Sequence, residues 1–151
     1  MDYEILETEN IPQIVKAEVI MELWRIECAC FGKDAHFNAD FRPLLEEATT
    51  IICRDGVNNA ILGFISGRIC AMKSSVPADN FLYFYINYLE VLPEFQKKGI
   101  GRELLKRLES FLRPLNVDTI FLNCRSSVAQ FYKNCDFEEV DEKGHLYGKM
   151  I

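Results

Sequence analysis

Leu89-Glu90-Val91-Leu92-Pro93-Glu94-Phe95-Gln96-Lys97-Lys98-Gly99-Ile100-Gly101-Arg102-Glu103-Leu104-Leu105 decides the reading of this chain. An apolar strand runs through a short turn into a Gly-x-Gly that opens a helix. The first N–H groups of a helix have no intrahelical acceptor, and the aligned peptide dipoles put partial positive charge at the same place. Glycines at 99 and 101 remove the Cβ atoms that would keep a ligand from the backbone, and Lys97, Lys98 and Arg102 add full charges around the turn. The stretch predicts a site for a polyanion, one that a phosphate group suits. The alternative is a glycine-softened helix start with a solvated basic face.

Two common phosphate motifs do not fit. A Walker loop needs Lys and then Ser or Thr after its second glycine, whereas Gly101 is followed by Arg102 and Glu103. A dinucleotide-binding turn needs a third glycine at 104 and a strand leading straight into the first; here 104 is Leu, and Pro93-Glu94-Phe95 intervenes. What remains is Gln-x-x-Gly-x-Gly, from Gln96 to Gly101, after a strand ending in Val-x-Pro-Glu. This resembles the pyrophosphate-binding motif of the GNAT superfamily, the acetyl-coenzyme A dependent N-acyltransferases.

Working outward, Tyr3–Glu7 reads as a short strand near an edge. Asn10 looks like a helix cap and Pro12 falls in the first turn of a helix running to about Cys30, closed by Gly32. Phe41, Leu44, Leu45 and Ala48 predict a shorter second helix, with the residues between the two as candidate substrate loops. Residues 49–54 and 60–69 form a hairpin around Asp55-Gly56-Val57-Asn58-Asn59. After a loop over 74–80 comes a long aromatic and aliphatic strand, 81–91, whose length suggests a central position. A helix over about 99–113, a strand over 117–124, a helix from Ser126 or Ser127 to Lys133 and a closing hairpin complete the chain.

This order, β-α-α-β-β-β-α-β-α-β-β, resembles that of the GNAT fold. The resemblance implies an α+β domain over residues 1–151, with a mixed sheet of six to seven strands and about four helices. It implies further that the fourth and fifth strands splay at the centre. A pantetheine arm then hydrogen-bonds to the open edge at Leu89, Glu90 and Val91, and the pyrophosphate falls on Gln96, Lys97, Lys98, Gly99, Ile100, Gly101 and Arg102. Backbone donors and acceptors left unpaired by a splay are satisfied by an amide-bearing ligand much as an added strand would satisfy them.

Charge and cysteine usage narrow the classes. The chain has 151 residues, 49% of them apolar, and a net charge of −6, enough for one substantial core. The first fifty residues hold four basic against eleven acidic side chains, whereas residues 96–107 hold five basic against one acidic. With a pI near 5.0, the chain lacks the broad basic face of a nucleic-acid binder; one local patch suits one phosphorylated cofactor. No run approaches the roughly 20 apolar residues of a membrane span, and the start is acidic where a secretory leader is basic. Six cysteines, at 28, 30, 53, 70, 124 and 135, lie mostly in apolar runs with no Cys-x-x-Cys pair. They read as buried thiols of a reducing, cytoplasmic protein, and a metal site is not expected around them or around His36 and His145.

Acyl transfer from a thioester to an amine needs a neutral amine, a stabilised oxyanion and a proton for the departing thiolate. Phe131-Tyr132-Lys133-Asn134-Cys135-Asp136-Phe137 resembles the second coenzyme A segment of the GNAT family, Phe-Tyr-x-x-x-Gly-Phe. The resemblance makes Tyr132 the candidate general acid at the sulfur; otherwise Tyr132 only packs the last helix on the sheet. Asp136 replaces the usual glycine, and Asp tolerates a left-handed backbone better than most residues. Upstream, residues 123–130 resemble the shorter-loop members, with Arg125, Ser126 or Ser127 as substitute polar contacts.

Glu90 is the candidate base. Alternation puts it opposite Leu89 and Val91 and alongside Tyr88 and Leu92, but does not say which face looks into the wedge. As alternatives, it binds a cationic substrate or only a water. Acidic residues Glu22, Glu27, Asp34, Asp40, Glu46 and Glu47 suit a cationic acceptor, although each taken singly reads better as a solvated helix face. Together these residues predict an N-acetyltransferase that delivers the acetyl group of acetyl-coenzyme A to a primary amine by direct attack. A small cationic amine is favoured over a protein N-terminus or lysine. The competing reading is a non-catalytic acyl-coenzyme A sensing module. A homodimer is left open.

Overall fold

A computed structural model of the chain describes residues 1–6, 11–35, 41, 43, 44, 47–73 and 81–151. Its elements are β1 (Asp2–Leu6), α1 (Gln13–Phe31), β2 (Ala48–Arg54), β3 (Ile61–Met72), β4 (Phe81–Val91), α2 (Ile100–Leu112), β5 (Val117–Asn123), α3 (Ala129–Lys133), β6 (Glu138–Glu139) and β7 (Leu146–Met150). The seven strands form one sheet in the order β1-β2-β3-β4-β5-β7-β6, in which only β4 and β5 run parallel.

Apolar residues from the two sheet faces make two cores. On one face Leu6, Ile52, Ile61 and Phe64 meet Val19, Leu23 and Ile26 of α1. On the other, Ile51, Ile65, Phe84 and Leu122 meet Leu104, Leu105, Leu108 and Leu112 of α2 and Tyr132 of α3. Each of those four leucines is at most 2% exposed, so each burial contributes about 2 kcal/mol before the ordering entropy is counted. Glu109 of α2 is clamped to the sheet by Lys149 of β7 at 2.6 Å. α1 stops at Gly32, whose φ of 56° is a turn out of the helix that glycine takes without strain.

The second helix expected near residues 41–48 is not found among the described residues. Leu44 and Glu47 have φ of 63° and 66°, which a right-handed helix cannot contain, and Ala48 already belongs to β2. The apolar residues there serve another purpose. Leu44 is fully buried in the α1-side core, and Phe41 meets Trp24 and Tyr88 edge-on at 5.5 and 5.2 Å. The Asn10 cap, the 74–80 loop, His36, Asp40 and Glu46 lie outside the described residues.

The feature that positions the site is an irregularity at the middle of β4. Ser66 of β3 faces Tyr88 while the next residue, Gly67, faces Ile86, so Asn87 is an extra residue on β4. Pairing with β5 ends at the same place, at Ile86 opposite Leu122. Beyond it, β4 continues to Val91 with β3 alone, and the sheet opens between β4 and β5. Gly67 is required here: a Cβ would collide with the Tyr85 carbonyl and approach the Phe84 ring to 2.6 Å.

The bulge also inverts the side-chain alternation. Phe84 and Ile86 point to the α2 side, and unbroken alternation would send Glu90 there too. Instead Leu89 and Val91 take the α2 side, while Tyr88 and Leu92 pack with α1. Glu90 therefore faces α1.

Candidate functional site

The turn between β4 and α2 is built almost wholly from local interactions. Phe95 N–H donates to the Leu92 carbonyl at 2.8 Å, and Gln96 N–H to that of Pro93 at 3.3 Å. The Gln96 side chain donates through Nε2 to the Val91 carbonyl at 2.9 Å, so it braces the turn. Lys97 and Gly99 follow with φ of 59° and 89°. The first helical bond runs from Glu103 N–H to the Gly99 carbonyl at 3.0 Å, which leaves the N–H groups of Ile100, Gly101 and Arg102 ahead of the helical ladder. Lys97, Lys98 and Arg102 surround them, with Lys98 over the Phe95 ring at 5.0 Å.

The two glycines have different reasons. A Cβ on Gly99 would meet nothing within 4 Å, so the surface there is open and the positive φ is what calls for glycine. A Cβ on Gly101 would reach Phe131 of α3 at 3.1 Å. Gly101 therefore lets α3 approach α2, and clearance for a ligand comes from Gly99. Ile100 is buried in the core and offers only its backbone.

Of the three edge residues expected to meet a ligand arm, two have the right backbone direction. Leu92 N–H donates to Leu62, and alternation along the antiparallel pair sets Glu90 against Phe64 in the same hydrogen-bonded sense. The polar backbone groups of Leu89 and Val91 thus turn away from β3, on the side that β5 leaves open, where the Val91 carbonyl is taken by Gln96 and Cys30 and its N–H is not. Those of Glu90 are spent on β3, so its contribution to the site is its side chain. This departs from the expectation that all three lend the edge.

Tyr132 closes the far side of the gap from α3. It is held edge-on between Phe131 and Phe137, at ring separations of 5.1 and 5.6 Å, and its hydroxyl lies in the electrostatic reach of Glu90, Cys124 and Cys135. Burial, followed by those acidic neighbours, pushes its pKa well up, so the phenol keeps its proton at neutral pH. Asp136 has the left-handed φ of 67° that the usual glycine would supply, and the turn closes with Phe137 N–H on the Tyr132 carbonyl at 3.0 Å.

Glu90 is 6% exposed and hydrogen-bonds to Glu27 of α1, itself 9% exposed. Burial first, then that hydrogen bond and the charge of Glu27, push the Glu90 carboxyl up to about 10. The pair accordingly holds one proton at neutral pH. Cys30, next on the same helix, donates Sγ–H to the Val91 carbonyl at 3.3 Å and is pushed up to about 11 by burial and by Glu90 and Glu27. Glu27 reads from the sequence as one of many solvated acids. The signal that finds it is periodicity, since it follows Val19, Leu23 and Ile26 on the buried stripe of α1.

A groove of about 480 Å³ opens at the end of β5, lined by Asn123, Cys124, Arg125, Ser126 and His145. Arg125 stacks over Phe31 at the end of α1 at 5.9 Å, and Asn123 Nδ2 donates to the Tyr85 hydroxyl at 2.6 Å. Of the polar residues at 125–127, Arg125 and Ser126 line this groove. Among the described residues, no three His, Cys, Asp or Glu side chains converge as a metal site.

An open strand edge, an anion-ready helix start at its end and a buried tyrosine across the gap make a recognisable set. The family model described as Acetyltransferase (GNAT) family matches residues 18–137. The chain belongs to the GNAT acetyltransferase family. Membership makes it an acyltransferase that works with coenzyme A. Solved structures share the fold of this GNAT chain at low identity. An aminoglycoside 6'-N-acetyltransferase complexed with coenzyme A matches with a TM-score of 0.73 and 13% identity, over 99% of this chain and 97% of that one. Arabidopsis thaliana NAA60, in complex with a bisubstrate analogue, matches with 0.73 and 16%, over 99% and 98%. Tetrahymena GCN5 matches with 0.70 and 14%, over 100% and 96%. A search of curated protein sequences found no match.

Proposed function

We propose that residues 1–151 form one cytoplasmic N-acetyltransferase domain that passes the acetyl group of acetyl-coenzyme A to the primary amine of a small cationic acceptor. The observation that carries this reading is the break at Asn87, which opens β4 to a ligand on one edge and turns Glu90 toward α1 on the other face. The backbone of Leu89 and the N–H of Val91 offer the arm of the donor strand-like partners, and the N–H groups at Ile100–Arg102 with Lys97, Lys98 and Arg102 receive its pyrophosphate. The open space at Gly99 supports that fit.

In the reaction the C–N bond forms as the C–S bond breaks, without an acyl-enzyme. Tyr132, which keeps its proton, donates to the sulfur as charge gathers there. Burial disfavours the thiolate in the same apolar wedge, so the phenol and the leaving group are moved in the same direction. Glu90 is the group placed to take the amine's proton once a cation has displaced the proton it holds when empty. Six free cysteines support the reducing compartment.

Calorimetric titration with acetyl-coenzyme A, then thiol release against a panel of amines, tests the assignment. Micromolar binding and thiol release are expected, with Tyr132→Phe losing about 10- to 100-fold in kcat at unchanged donor affinity. No binding of acetyl-coenzyme A overturns the reading.

A further inference from the structure

Glu27 and Glu90 sit on different elements, α1 and β4, and each keeps one buried carboxyl oxygen, Oε2, that no donor of another described residue reaches, apart from the proton the pair shares. A buried acid pair with two unsatisfied oxygens is a costly way to join a helix to a sheet, since apolar residues of the same volume would do it better. Among the described residues the titratable groups that act on the pair are Cys28 and Cys30 of α1 and Tyr132 of α3, with Glu94 acting on Cys30, and none of these carries positive charge. The pair also lies where the gap opens, since Cys30 beside it touches the Val91 carbonyl on the unpaired edge of β4, and Tyr132 is within electrostatic reach of Glu90.

We propose that Glu27 and Glu90 together form the acceptor subsite, in which the two orphaned oxygens receive N–H donors of a primary ammonium, and that Glu27 is the residue that makes the enzyme select a cationic amine. The inference rests on the acetyl-transfer reading above. A primary ammonium has three donors in a tetrahedral fan, so it satisfies both oxygens and keeps its carbon chain pointing outward. Its arrival ends the need for the shared proton, which leaves to solvent, and the freed carboxylate of Glu90 then takes a proton from the ammonium nitrogen. The nitrogen lone pair so exposed attacks the acetyl carbon. Once the C–N bond has formed, the nitrogen gives its second proton to the Tyr132 oxygen that has protonated the departing sulfur, which restores Tyr132 and leaves Glu90 again holding the shared proton; an ammonium and a thioester thus become an amide, a thiol and the one proton released on binding.

The test uses the full chain, first saturated with coenzyme A and titrated by calorimetry with butylamine and with 1,4-diaminobutane in two buffers of different ionisation enthalpy. About one proton released per amine bound near pH 7 is expected, and none in Glu90→Gln. In steady-state thiol release with the same amines and acetyl-coenzyme A, Glu27→Gln should raise the amine KM about 10- to 100-fold. It should leave the KM of acetyl-coenzyme A and the calorimetric donor affinity unchanged. Amine binding without proton release, an unchanged amine KM in Glu27→Gln, or no turnover of either amine by a protein that binds acetyl-coenzyme A overturns this inference and leaves the transferase reading standing. Failure of the wild type to bind acetyl-coenzyme A overturns both. The proton count is taken on the wild type, so it decides the matter even where a variant does not fold.

Discussion

The two halves of β4 are one continuous strand with opposite duties. From Leu82 to Ile86 the strand is paired on both sides, with β3 and β5, and Phe84 and Ile86 are buried in the core. From Asn87 to Val91 it is paired on one side only, and it carries the open edge and the buried acid. The difference teaches that a single bulge separates scaffold from site within one strand. In the first half the backbone has strand partners on two sides, so changes there cost stability. In the second half Leu89 and the Val91 N–H have no strand partner on the β5 side, so changes there cost binding or chemistry.

The largest effect is expected in the paired half. Phe84 is fully buried, and Phe84→Ala should lose about 3–5 kcal/mol in chemical denaturation while the folded fraction still binds acetyl-coenzyme A with unchanged affinity. A changed affinity would show that the two halves are not separable. Next comes the anion turn that continues the open half. Lys97→Glu combined with Arg102→Glu should weaken acetyl-coenzyme A binding about 100-fold at low salt, with the deficit shrinking as salt rises and stability within about 0.5 kcal/mol of wild type. A large stability loss with unchanged affinity would place the pyrophosphate elsewhere.

Glu90→Gln sharpens the comparison, because a site residue should here be bought at the expense of stability. The Glu90 carboxyl is raised in the folded protein from its ordinary 4.5 to about 10, so the stability linked to its proton is whole below about pH 4.5 and is lost progressively as pH rises toward 10. Gln has no such proton to lose. The variant should therefore gain on wild type as pH rises through that window, by about 1–3 kcal/mol at pH 8, read from paired denaturation curves. A difference independent of pH would mean the carboxyl is not held protonated. The smallest effect belongs far from the bulge. Glu4→Ala breaks the exposed contact with Arg54 at 3.4 Å on the sheet edge, and should change stability by less than about 0.5 kcal/mol and binding not at all.

Much of this was legible in the chain itself. The bounds of β4 and the start of α2 fall where the apolar run and the Gly-x-Gly put them, because both follow from short-range rules of alternation and capping. The second helix was misread for a reason of the same kind: Phe41 and Leu44 have helical spacing, yet they are pinned in the core by contacts with α1 and Tyr88, which override local preference. Glu27 was visible only as a charge, although its place on the buried stripe of α1 distinguishes it from its neighbours.

By itself, the sequence determined the anion turn, the order of the strands along the chain and the tyrosine segment, since each depends on residues within a few positions of one another. Tertiary structure alone decided the face on which Glu90 lies, its partner Glu27, and which edge residues lend their backbone. These depend on how β4 pairs with β3 and β5, and one extra residue at Asn87, opposite a glycine with no room for a side chain, inverts the alternation that a reader of the sequence would carry through.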